Sequence, residues 1–77
     1  MDKLDYKGIA LKGDFYLSVF SRDGKSFAEW ADWDNKIILT VTGSDPTQAR
    51  ARMIETMIMY YPKKNGQLPD YATIKPA

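Results

Sequence analysis

The chain has 77 residues, with 11 Lys and Arg against 10 Asp and Glu and with neither histidine nor cysteine. That length allows one small domain, and a 44% hydrophobic and 13% aromatic share is too rich for a disordered chain. Disulfide frameworks, thiolate nucleophiles, zinc–cysteine sites, Ser-His-Asp triads and imidazole metal sites are all excluded.

Three turn signals punctuate the first part of the chain: Gly13-Asp14, Asp23-Gly24 and Asp34-Asn35. Such pairs reach positive φ at low cost, as two-residue hairpin turns require. The stretches between them, Lys7–Lys12, Phe15–Arg22, Lys25–Trp33 and Lys36–Thr42, are rich in β-branched and aromatic residues and are predicted strands. If the second and third signals are both two-residue turns, Arg22 faces Lys25 and Trp33 faces Lys36. Leu17 then faces Trp30, which faces Leu39, while Val19 faces Ala28, which faces Val41. Because side chains alternate along a strand, one face collects Phe15, Leu17, Val19, Ala28, Trp30, Ile37, Leu39 and Val41.

A helix is predicted to open at Ser44-Asp45-Pro46. Asp45 can accept from the free amides of the first turn, Pro46 suits the first helical position, and Gln48 completes a capping box. Ala49, Met53, Ile54, Met57, Ile58 and Tyr61 share one side at 3.6 residues per turn, and Pro62 with Asn65-Gly66 ends the helix. That side should lie on the aliphatic face of the sheet, with the methionines as adaptable core filler. Residues 62–77 form a loop and extended tail, and Asp70–Lys75 is compatible with an added edge strand or with a free end. The expected fold is a single α+β domain over residues 1–77: an antiparallel meander of three or four strands with one helix packed on one face.

The opposite face of the sheet carries Tyr16, Ser18, Phe20, Phe27, Glu29, Ala31, Trp33, Ile38, Thr40 and Thr42, and a Gly13-Asp14 turn would add Ile9 and Leu11. No second helix exists to cover it. An antiparallel sheet ordinarily shows a polar outer face, so Tyr16, Phe20, Phe27, Trp33 and Ile38 form an apolar patch of the sort that marks binding surfaces. The occupant is another protein, a second copy of the chain, or the chain's own ends.

Three groups of charged residues are candidates for chemistry. Asp32, on the helix-facing side by the same register, and Asp34, in the turn, with Glu29 nearby, lack the dense oxygen donors and glycine of a hard-cation loop. They read as turn formers and solvated charge, so no metal, cofactor or catalytic residue is expected. Arg50, Arg52, Lys63 and Lys64 outweigh Glu55 between residues 50 and 64, and aromatics beside cations are the means of binding single-stranded nucleic acid. The near-neutral total charge counts against a dedicated binder of that kind. Arg50 falls near the middle of the helix's apolar half, which calls for pairing with Asp32, snorkelling past the sheet edge, or a ligand.

The Asp23-Gly24-Lys25 hairpin, followed by Gly43-Ser44-Asp45-Pro46 opening an Ala- and Met-bearing helix, resembles the small phage anti-CRISPR proteins that inhibit type I surveillance complexes. It departs from them by one extra strand-length segment between hairpin and helix. The resemblance implies a non-catalytic inhibitor that occupies a surface on a large ribonucleoprotein, and it carries over no binding residues. The strand-strand-strand-helix order, with Gly43 before the helix and Gly66-Gln67-Leu68-Pro69 after it, is also similar to HicB-type antitoxins. Those have a partial ribonuclease-H-like fold and bind a small toxin. Their Pro-Gly motif before the third strand is replaced here by Trp33-Asp34-Asn35-Lys36.

The expected function is therefore a non-enzymatic protein-interaction module of phage-inhibitor type acting through Tyr16, Phe20, Phe27, Trp33 and Ile38. The alternatives are a single-stranded nucleic-acid binder using Arg50, Arg52, Lys63 and Lys64, or a HicB-like antitoxin. No apolar run approaches the ~20 residues that span a bilayer, and residues 1–5 lack the apolar stretch of a secretory signal. A soluble cytoplasmic chain without a membrane partner is expected.

Overall fold

A computed structural model describes residues 3–6, 9–12, 15–61 and 67–77, the first two segments as backbone only. In chain order the elements are β1 (Lys3–Tyr6), β2 (Ile9–Lys12), β3 (Phe15–Arg22), β4 (Lys25–Asp32), β5 (Ile37–Gly43), α1 (Pro46–Tyr60) and β6 (Ala72–Pro76). Strands β3-β4-β5-β6 form one open antiparallel sheet in that spatial order, and α1 packs against it, which makes the small α+β fold the sequence implies. Among the described residues no helix is long and apolar enough to cross a membrane.

The register of the meander follows from its turns. Asp23 and Gly24 have φ of 53° and 76°, the signature of the type I′ turn whose twist matches the flanking strands. They set Arg22 opposite Lys25, Leu17 opposite Trp30 and Val19 opposite Ala28. Across the next turn Trp30 pairs with Leu39 and Ala28 with Val41, as the spacing requires. That turn is longer than expected. The ladder closes at Asp32↔Ile37, and the positive φ, 57°, belongs to Lys36 rather than to Asp34 or Asn35.

The first strand pair departs from the sequence reading. β2 pairs with β1, Tyr6 opposite Ile9, in a separate two-stranded sheet. Two residues separate β2 from β1 and two separate it from β3, so both pairings meet the shortest hairpin spacing, and β2 takes the first. Ile9 and Leu11 are therefore not added to the sheet through a pairing with β3, and the Gly13-Asp14 turn lies outside the described residues.

Phe15, Ala28, Trp30, Leu39 and Val41 of the sheet close on Ala49, Met53 and Met57 of α1 to form the core, with Leu17 and Val19 at its margin. The helix opens as its sequence dictates. Asp45 Oδ1 accepts from the Gln48 N–H at 2.7 Å, while Gln48 Oε1 accepts from the Ser44 N–H at 2.7 Å, one residue earlier than in a standard capping box. Gly43 lets the helix sit close to the strand, since a Cβ there would lie 2.6 Å from Ala49 N and 2.9 Å from Ala49 Cα. The buried stripe is Ala49, Met53, Thr56 and Met57, rotated from the expected one. Thr56 enters because its hydroxyl donates to the Arg52 carbonyl at 2.7 Å, which satisfies the polar atom locally. Ile54 is half-buried, Ile58 is 38% exposed and Arg50 faces solvent, so Arg50 does not project into the apolar half.

The tail joins the sheet. Ile74 pairs with Leu39 and Ala72 with Val41, which makes β6 the fourth strand. A turn whose Ala72 N–H donates to the Pro69 carbonyl at 3.0 Å brings it into place. The helix-ending signals at Pro62 and Asn65-Gly66 lie outside the described residues.

Candidate interaction surface

The face of the sheet away from α1 is built from three cross-strand rows. Tyr16, Ala31, Ile38 and Lys75 make one, and Ser18, Glu29, Thr40 and Thr73 the next. The third is Phe20, Phe27 and Thr42. The expected apolar patch is thus two apolar bands divided by a polar row that carries Glu29. Tyr16 is 61% exposed, and Phe20, Phe27 and Ile38 are half-buried. Phe20 and Phe27 shelter one another, their rings stacked at 5.4 Å and 20°, with the Arg22 guanidinium 5.7 Å from the Phe20 centroid. Offset aromatic pairs of this geometry exceed simple area burial, and the cation above the ring adds a modest electrostatic attraction.

Trp33, expected on the same side, sits beyond the ladder, in the β4–β5 turn, 47% exposed. The turn is held from beneath. Asp32, expected to be solvated, is 0% exposed on the helix side. Its Oδ1 accepts from the Asn35 N–H at 3.1 Å, and its Oδ2 accepts from Asn35 Nδ2 at 2.8 Å and from the Tyr61 hydroxyl at 2.7 Å. Tyr61 in turn accepts from Trp30 Nε1 at 2.7 Å. A buried carboxyl group is tolerable only with such donors. Burial, and then the hydrogen bond to Asp32, push the Tyr61 phenol well above its ordinary pKa, against a lowering pull from Trp30. Trp30 stacks on Phe15 at 4.8 Å and meets the Tyr61 ring edge-on at 6.5 Å. The turn that presents Trp33 is therefore fastened to the last turn of α1.

The sequence signalled Asp32, since the register put it on the helix side. It did not signal its partner, because Tyr61 arrives 29 residues later in the chain.

The basic residues lie elsewhere. α1 packs on the opposite side of the sheet, so Arg50 and Arg52 do not share a surface with Tyr16, Phe20 and Phe27. Arg52 is engaged within the fold: its Nη1 donates to the Thr42 carbonyl at 2.9 Å, and its guanidinium lies 4.6 Å over the Tyr71 ring. It ties the helix to the end of β5 and to the segment entering β6. Lys63 and Lys64 lie outside the described residues. Among the described residues no three acidic side chains group to hold a metal ion.

Comparison with known proteins yields no relative: no family model, no curated protein and no solved structure matches the chain.

Proposed function

We propose that this chain is a non-enzymatic protein-interaction module whose docking surface is the helix-free face of the sheet. One observation carries the reading: Tyr16 stands 61% exposed on a face that α1 does not cover, and Trp33 stands 47% exposed on the turn at the end of that sheet. Interface energy concentrates in aromatic anchors of this kind, ringed by contacts that exclude water. Phe20, Phe27 and Ile38 extend the apolar surface on either side of the polar row, and Glu29 at its centre gives register. The clamped turn beneath Trp33 supports the same reading, because an anchor fixed before binding loses less entropy on docking.

The finer form of this proposal is an inhibitor of phage type that occupies a surface of a type I CRISPR surveillance complex, with a HicB-like pairing to a small toxin as the competing partner. The test is a mobility-shift assay of target DNA binding by a purified type I complex, with wild type and with the Tyr16→Ala/Trp33→Ala double variant. Inhibition by wild type that is lost in the folded double variant supports the inhibitor. Absence of inhibition by wild type refutes it. Equal inhibition by both moves the contact off this face.

Single-stranded nucleic acid is less favoured, because the aromatics and the helix cations sit on opposite sides of the sheet. Phosphate neutralisation makes binding fall steeply with salt. Tight, strongly salt-dependent binding of an oligonucleotide would therefore replace the protein partner with a nucleic acid.

A further inference from the structure

The four-stranded sheet has two outer strands, and they are finished differently. On β6 the Ala77 N–H donates to the Lys36 carbonyl at 2.9 Å, and the Tyr71 carbonyl accepts from the Thr42 N–H at 3.2 Å. In an antiparallel ladder the inward and outward backbone groups alternate, so residues 71, 73, 75 and 77 face β5 and Ala72, Ile74 and Pro76 face outward. The Ala72 N–H is already given to the Pro69 carbonyl, and Pro76 has none. Ile74 alone keeps an outward donor on a five-residue strand that also carries Lys75 and Pro76. Short length, lysine and proline are the usual protections of a sheet edge.

β3 has none of these protections. The same alternation, carried across β5 and β4, turns Phe15, Leu17, Val19 and Ser21 outward. β3 is eight residues long and pairs with β4 over its whole length. It lacks proline, and its one charge, Arg22, is at its end. Among the described residues no other strand pairs with it. Leu17 and Val19 are only half-buried, because α1 lies mainly over β4 and β5.

We propose that β3 pairs antiparallel with β3 of a second copy about a two-fold axis at Ser18, joining the two sheets into one of eight strands. A two-fold axis perpendicular to the sheet keeps both helices on one side, so residues of like parity must face each other. With the axis at Ser18, Leu17 faces Val19 of the second copy, and Tyr16 faces its Phe20. The outward set is then self-complementary: Leu17 with Val19, and Phe15 with Ser21, exchange both backbone bonds. Tyr16 and Phe20 fall at the non-hydrogen-bonded pairs, where Cα atoms approach to about 4.5 Å and side chains meet most closely. An axis at Val19 would instead oppose Leu17 with Ser21 and Tyr16 with Arg22. Residues 15–21 carry no charge, so the junction opposes no like charges.

The junction extends what each copy already has. On the helix side the core row Leu39–Trp30–Leu17 continues into Val19–Ala28–Val41 of the second copy. On the other side Ile38–Ala31–Tyr16 continues into Phe20–Phe27. A specific interface must bury about 1,000 Å² in total, roughly a tenth of the 5058 Å² surface of each copy. Tyr16, 61% exposed, offers on the order of 100 Å² of this, and the half-buried Leu17, Val19 and Phe20 each add less, so the junction is a small one that rests chiefly on its backbone ladder and depends on concentration. The dimer draws Tyr16 and Phe20 into its junction and leaves Ile38 and Trp33 outside it, so partner binding by a folded single-chain Val19→Pro variant separates this pairing from the partner proposed above.

Light scattering over a concentration series, combined with amide hydrogen exchange, tests the pairing. Wild type is expected to reach twice the 8.8 kDa chain mass, with Leu17 and Val19 amides protected and exchanging faster on dilution. Val19→Pro removes an outward N–H, which a single-chain sheet edge tolerates. It is expected to restore the single-chain mass with an unchanged circular dichroism spectrum. A wild-type mass of one chain up to the solubility limit overturns the proposal, as does a dimer that survives in folded Val19→Pro. If Val19→Pro fails to fold, wild-type exchange decides: fast, concentration-independent exchange at Leu17 and Val19 overturns the pairing.

Discussion

Replacing Gly43 by alanine tests how closely the helix is seated on the sheet. The added Cβ would meet Ala49 N at 2.6 Å, Ala49 Cα at 2.9 Å and Ala49 Cβ at 3.2 Å, where ordinary contact begins near 3.4 Å. Two of these neighbours are helix backbone and cannot swing aside, so the first turn of α1 has to retreat by about 0.8 Å, from 2.6 to 3.4 Å. That movement separates Ala49 and Met53 from Val41 and strains the Asp45 cap. Overpacking of this kind costs ~1–3 kcal/mol, and the stiffer unfolded chain returns ~0.4–1 kcal/mol. The net loss is about 1–2 kcal/mol, against a total of ~4–12 kcal/mol for a domain of 77 residues. Urea unfolding followed by circular dichroism should show a lower midpoint with an unchanged slope, and the melting temperature should drop by ~5–15 °C. Adding Ala49→Gly removes only the 3.2 Å contact, so the double variant should stay destabilised. A Gly43→Ala chain as stable as wild type would refute the close approach.

Four further substitutions probe the core, the site and the cap. Tyr61→Phe removes one hydrogen bond to a carboxyl and one from an indole, and for a half-buried group should lower stability by about 2 kcal/mol in chemical denaturation. The folded-state phenol pKa is raised, so its contribution is complete below the ordinary value near 10 and fades as pH climbs through the folded value. Wild type should therefore lose stability above about pH 10 more steeply than Tyr61→Phe, and parallel alkaline limbs would argue against this role. Trp30→Ala deletes a fully buried side chain and should cost ~3–5 kcal/mol, enough to unfold a marginal domain. Trp33→Ala should stay within about 0.5 kcal/mol of wild type, and unfolding by that change would make Trp33 a core residue. Asp45→Ala should lose ~1 kcal/mol through the bond to the Gln48 N–H, checked by thermal melting.

Which parts of the fold could be read in the sequence depended on how local their causes are. The β3–β4 register came from one dipeptide, because Asp23-Gly24 is short enough to dictate both its own geometry and the pairing around it. The β4–β5 register was also legible although the turn conformation was not. A two-residue turn closed by Trp33 and Lys36 and a longer one closed by Asp32 and Ile37 give the same pairing, so the faces were assigned correctly either way. The rotation of α1 was missed because Thr56 counts as polar in a periodicity argument, whereas its hydroxyl is satisfied by the helix itself. β6 has no turn signal of its own and only five residues; it becomes a strand because β5 offers it an edge. The Asp32 cluster draws on Trp30, Asn35 and Tyr61, and the last of these meets it only once the helix has docked. Among the surface aromatics, parity along the strands identified which side they occupy. It could not show that a row centred on Glu29 would divide them.

Trp30 and Trp33 stand three residues apart in sharply different surroundings: one is sealed between Phe15 and Tyr61, the other is carried on a turn in contact with water. The unlabelled chain thus holds two optical probes of opposite sensitivity. Emission from Trp30 reports the integrity of the interior and shifts only when the sheet and helix part. Emission from Trp33 responds to whatever settles on the outer surface while the interior stays intact. Docking and denaturation consequently leave different spectral signatures in the same cuvette, and a partner can be titrated at constant fold without attaching a dye.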